Sequence, residues 1–110
     1  MGTRAEVDIK PLGLYVITQF DGDNIKKNLT KSLQTKEGRK NILKTLDKHH
    51  QIRAKATTRK GVRQIYGVTK ADDYYLFIEY RWIVTKNWKV KEDKKYKKDR
   101  KKWSVKRYGY

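Results

Sequence analysis

The chain has 110 residues, with 29 Lys and Arg against 12 Asp and Glu, a formal net charge of +17 and no cysteine. That length suits one domain with a modest core, and the missing thiols exclude disulfides and thiolate metal sites, as fits a reducing compartment. Small soluble domains usually carry about 2–8 charges of either sign, so a surplus of this size points to a polyanionic partner.

Three Trp, eight Tyr and two Phe are interleaved with the charge. Aromatic faces stack on bases, which puts nucleic acid ahead of an anionic membrane surface, an acidic protein or a merely solvated lysine surface. The start, MGTRAEVDIKP, lacks the apolar core of a secretory signal, and the longest apolar run, residues 74–78, is far short of a membrane span. The reading is a soluble cytoplasmic protein, or a virion component, with no membrane partner.

In chain order, residues 1–10 read as a polar arm, and Pro11 suits the start of a strand over residues 12–20, LGLYVITQF. Asp23 or Asn24 is placed to cap a following helix. Ile25, Leu29 and Leu33 recur at spacing four, and Ile42, Leu43 and Leu46 form a second stripe about a quarter turn away. The offset predicts two antiparallel helices hinged near residues 35–38, with Thr35 as a cap. The adjacent His49 and His50 point in different directions and make a poor metal pair. A positive charge at a helix C-terminus is their simpler role.

The stretch over residues 53–82 organises the rest. It predicts three strands: Ile52, Ala54 and Ala56 on one parity against Arg53 and Lys55; residues 62–68 after a basic hairpin loop at Thr58, Arg59, Lys60 and Gly61; and residues 74–84, where Tyr74, Leu76, Ile78, Tyr80, Trp82 and Val84 share one parity. Gly67 marks a bulge or a close backbone approach, and Asp72-Asp73 a turn. Arg53, Lys55, Arg63 and Arg81 then form a cationic field on adjacent strands. A turn at residues 85–87 and one short strand at residues 88–91 complete an α+β domain of residues 1–91. The tail, residues 92–110, is basic: from Lys86 onward there are 12 basic residues against 3 acidic. Tyr96, Trp103, Val105, Tyr108 and Tyr110 leave open whether it orders on its partner or packs as a terminal helix or strand.

This order of elements resembles the RelE/ParE toxin superfamily. LYVITQF and NIKKNLTKSLQTKEGRKNILKTLDK resemble its opening strand and two-helix hairpin, IRAKATTRKGVRQIYGV its paired-basic strand, glycine loop and next strand, and YYLFIEYR a strand ending in a basic residue. The resemblance covers residues 14–82. It implies a metal-independent, ribosome-dependent endoribonuclease without cofactor, with RNA or the ribosome as partner and an acidic antitoxin protein beside it. Fixed cations would stabilise the charge that grows on the phosphate. Position by position, Arg53 and Lys55 match the family's basic pair, Arg63 the arginine after the loop and Arg81 the strand-ending basic residue. Tyr96 stands for the C-terminal general acid or base. Val62 departs from the family's aromatic residue, and the ending is longer and more basic.

The alternative is a non-catalytic nucleic-acid-binding accessory protein, for RNA or DNA. Arg59, Lys60, Lys94, Lys95, Lys97, Lys98, Arg100, Lys101, Lys102 and Trp103 are its candidate contacts. A metal-dependent nuclease is the weakest reading, because Asp21, Asp23, Asp72, Asp73, Glu79 and Glu92 show no ligand spacing.

Overall fold

A computed structural model of the chain describes the backbone of residues 2–68 and 70–108, and the side chains of these except 71, 72 and 106–108. The readings placed on the side chains of Asp72 and Tyr108, and on Tyr110, lie outside the described residues. The fold is α+β, with a five-stranded, mostly antiparallel sheet and six α-helices among the described residues.

The polar start is not an arm. Ala5–Ile9 is a strand, β1, buried along its whole length. Its Glu6 and Asp8 disguise it, since charges in alternation suggest a solvated face, whereas here they are paired inside. Lys10–Leu12 turns tightly and Leu14–Thr18 returns as β2, antiparallel to β1. Asn24 precedes helix α1 (Ile25–Ser32) without a side-chain cap, and a 3-10 turn at Gly22–Asn24 feeds the helix instead. The expected single hinge becomes two breaks around a short α2 (Lys36–Lys40), which Thr35 caps by accepting the Gly38 N–H at 3.0 Å. The break at Asn41 then starts α3 (Ile42–His50).

β3 (Ile52–Ala56) pairs with β2 through a bulge: Ile17 faces Ala54 while Thr18 faces Ile52, leaving Arg53 as the extra residue. The bulge breaks the expected common parity. Ile52 packs with the core on one side of the sheet, Ala54 and Ala56 with the core on the other.

Two expected strands are helices. Arg59–Tyr66 is α4, and its N-cap Thr58 accepts the Gly61 N–H at 2.9 Å. The presumed hairpin loop is therefore a helix start. Gly67, at φ 94°, ends the helix in a left-handed cap, with the N–H groups of Gly67 and Val68 on the Arg63 carbonyl. Ala71–Phe77 is α5, which places Tyr74 and Ile78 one turn apart in the core. Only Tyr80–Val84 of the long alternating run is strand, β4; Val90–Glu92, β5, follows a turn. Lys94–Tyr108 is a 15-residue helix, α6, so the basic tail is an ordered element.

The strand order is β3-β2-β1-β4-β5, with β1 and β4 parallel. One core joins Ala5, Val7, Ile9, Val16, Trp82 and Val84 to the stripes of α1 and α3. The other joins Ile17, Ala54, Val62, Tyr74, Ile78 and Tyr96, beneath α4, α5 and α6. The sheet thus lies between two helix layers.

Candidate nucleic-acid interface

The two layers divide the basic residues into cations that serve the interior and cations that face solvent. Arg53 and Lys55 are exposed on β3, an edge strand, and Lys60 is exposed on the first turn of α4. Arg59, Arg63, Arg81 and Tyr96 do come together, but inward. The Glu6 carboxylate is fully buried and accepts from Arg59 Nε at 3.1 Å and from Arg81 Nε at 2.8 Å. Arg81 also donates through Nη2 to Asp8 at 3.1 Å and through Nη1 to Asp93 at 2.7 Å. With 7% exposure and three carboxylates around it, Arg81 presents no face to a substrate phosphate. The strand-ending arginine has become the centre of an internal ion network.

Arg63 lies over the Tyr74 ring, 4.7 Å from its centre, and Arg59 is 5.9 Å from the centre of Tyr96. Tyr96 is buried; its hydroxyl donates to the Ile78 carbonyl at 2.6 Å, and its ring stands 5.0 Å from Tyr75. Burial, with the nearby Glu6 charge, pushes both the Tyr74 and the Tyr96 phenols well above their usual range, so both keep their protons.

Burial alone would raise the Asp93 carboxyl. The N–H of Tyr96 and the Arg81 guanidinium outweigh it and hold the group below the ordinary carboxylate range. Burial likewise opposes the charge on Arg81, and Glu6, Asp93 and Asp8 reverse that effect, so its pKa is raised. His50 is the other buried ionisable group of note. Its Nδ1–H donates to the Phe20 carbonyl at 3.1 Å and its Nε2 accepts from Asn28 Nδ2 at 3.0 Å, a pairing that needs the neutral ring. Desolvation lowers its pKa to match. The expected positive charge at the end of α3 is therefore absent at His50, which ties α1 and α3 to the end of β2.

α6 is built differently on its two sides. Asp93 caps it, accepting the Tyr96 N–H at 3.1 Å. Tyr96, Arg100 and Trp103 recur at helical spacing on the inner side: Arg100 Nε donates to the Tyr75 carbonyl at 3.0 Å, and the Trp103 ring lies 6.2 Å from that of Tyr75. Lys94, Lys95, Lys97, Lys98, Lys101 and Lys102 are exposed. Asp99 is the one acid in the helix and pairs loosely with Lys95 at 3.7 Å. The lysines span roughly two turns of helix, about 12 Å.

No protein-family model, curated protein or solved structure matches the chain. Among the described residues, no helix is long and apolar enough to cross a membrane, and no three His, Cys, Asp or Glu side chains are placed to hold a metal ion. Sequence reasoning missed Glu6, Asp8 and Asp93 as the partners that turn Arg59 and Arg81 inward. The signal for Asp93 was present: a lone Asp directly before an i, i+4, i+7 row of Tyr96, Arg100 and Trp103 marks a capped helix.

Proposed function

We propose that the protein binds RNA through its phosphodiester backbone, with α6 as the principal contact. One observation carries this reading: α6 is fixed to the body by Tyr96, Arg100 and Trp103, while six lysines are exposed on its other side. Lys94–Lys98, Lys97–Lys101 and Lys98–Lys102 are like-charge pairs one turn apart, each costing the helix about 0.2–0.5 kcal/mol. A polyanion turns that repulsion into attraction and releases its own counterions on binding.

The test is RNA affinity measured across a salt series. Six phosphate contacts contribute about −4 to the log–log slope on a single strand and about −5 on a duplex. Replacing the six lysines by glutamine should remove that contribution with the fold intact, leaving only the shallower slope of the chain's other cations. Absent or salt-insensitive binding by the native chain would overturn the reading.

A second reading is the ribosome-dependent endoribonuclease that the RelE/ParE resemblance implies, with its toxin-like fold and acidic antitoxin partner. What favours it is the exposure of Arg53, Lys55 and Lys60 at one end of the sheet. Primer extension on a translated mRNA separates the two. Cuts at ribosome-occupied codons that vanish in Arg53→Ala/Lys55→Ala establish the nuclease, and uncut message with retained binding leaves the binding protein.

A further inference from the structure

The helix layer on the other side of the sheet carries a second cationic feature. α1 and α3 pack through Ile25, Leu29, Ile42 and Leu46 on their inner side. Their outer seam is a groove lined by Lys31, Ser32, Lys44, Thr45, Lys48 and His49, and no carboxylate lines it. The Ser32 and Thr45 hydroxyls meet at 3.4 Å between the lysines. Among the described residues, Lys31, Lys44 and Lys48 have no ion-pair partner.

This arrangement is chemically one-sided. Lys44 and Lys48 are one turn apart and repel each other, and Lys31 adds to the same field from the neighbouring helix. The three ammonium groups offer only hydrogen-bond donors, matched to an anion's oxygens, which is the chemistry of phosphate recognition, while the Ser32 and Thr45 hydroxyls are engaged with each other and with the Asn41 carbonyl. A rigid base supports the groove, because the His50 ring joins Asn28 of α1 to the Phe20 carbonyl beneath α3. The seam is open along its length, and the step from Lys44 to Lys48 is about 6 Å. Successive phosphates along one strand of a nucleic acid can each take one lysine.

We infer that the α1–α3 groove binds a second nucleic-acid segment, so that one chain bridges two segments, one on each helix layer. The inference rests on α6 being the first contact.

The experiment uses two duplexes of one sequence, roughly 20 base pairs long, as RNA in one arm and DNA in the other. One duplex is tethered to beads and the other is free and fluorescent. The native full-length chain should carry the fluorescent duplex onto the beads, with capture passing through a maximum and falling as excess protein saturates each duplex separately. Lys31→Gln/Lys44→Gln/Lys48→Gln should still coat the tethered duplex but reduce capture at least about tenfold, three phosphate contacts being lost. The matching Lys→Arg triple should restore it. Capture by the glutamine triple at the native level would overturn the inference, including the case where self-association does the bridging. Native chain that coats the beads but captures nothing would overturn it while leaving the α6 reading intact. Native chain that coats neither duplex would overturn both.

Discussion

Arg81 and Asp93 meet at 2.7 Å, and the contact makes the start of α6 part of the sheet's internal ion network. Asp93 uses its second oxygen to cap the helix at the Tyr96 N–H, and its own N–H bonds the Arg81 carbonyl at 2.8 Å. The helix that faces solvent with six lysines is thus anchored by a carboxylate whose other partner is buried beside Glu6 and Asp8.

Arg81→Met is expected to destabilise the protein by about 3–5 kcal/mol, because it strands buried carboxylates without their cation. Arg53→Ala and Lys55→Ala, on exposed positions, should stay within about 0.5 kcal/mol of the native chain. Urea titrations of the three variants decide this. Equal, small losses would mean that Arg81 does not hold the network together.

Tyr96→Phe removes the hydroxyl that satisfies the Ile78 carbonyl while keeping the ring between Tyr75 and Arg59. A loss of about 1–2 kcal/mol is expected, with RNA affinity unchanged. A folded variant that lost mRNA cleavage in a translation reaction would instead give this phenol a chemical role.

Stability should fall in acid in two steps. A neutral His50 with a pKa lowered from 6.5 leaves the unfolded chain binding more protons. Its contribution is complete above pH 6.5 and is lost as pH falls from there towards the folded value. Asp93, lowered from 3.8, contributes above that value and loses its contribution as pH drops through its folded pKa. His50→Gln should remove the first step and leave the second. Chemical denaturation at pH 7, 5.5, 4.5 and 3 measures both steps, and a native stability that does not fall between pH 7 and 4.5 would refute the first.

Gly38→Ala should destabilise the protein by about 1–3 kcal/mol, although alanine is the better helix former by about 1 kcal/mol. A Cβ at this position runs into the Ser32 carbonyl and crowds the Thr35 hydroxyl that caps α2. A gain in melting temperature would show that the loop has room to shift.

The helix stripes of Ile25, Leu29 and Leu33 and of Ile42 and Leu46 were legible because one period explains both, and Tyr80, Trp82 and Val84 share the face their alternation predicts. α4 and α5 were not legible as helices. Val62, Tyr66 and Tyr74 favour strands locally, and packing against Ala54 and Ile17 overrides that preference. Two signals pointed the other way: Thr58 three residues before Gly61, the spacing read correctly as a cap at Thr35 and Gly38, and Gly67 as a helix stop. At the candidate interface, charge counting located the basic tail. It could not separate the lysines left in solvent from the arginines taken up by Glu6, Asp8 and Asp93, because that division depends on a pairing across most of the chain.

That pairing bears on how the chain assembles. Glu6 and Asp8, on β1, find Arg81 75 and 73 residues later. β1 lies between β2 and β4, so one of its edges stays open until β4 has emerged. A two-stranded hairpin is marginal alone, and before Arg81 exists this one has only Lys10 beside Asp8 and, later, Arg59 for Glu6. Closing the parallel pair costs the entropy of a long loop before any contact repays it. Folding is therefore gated by the arrival of β4, and fragments that end before Tyr80 should be unfolded rather than partly native.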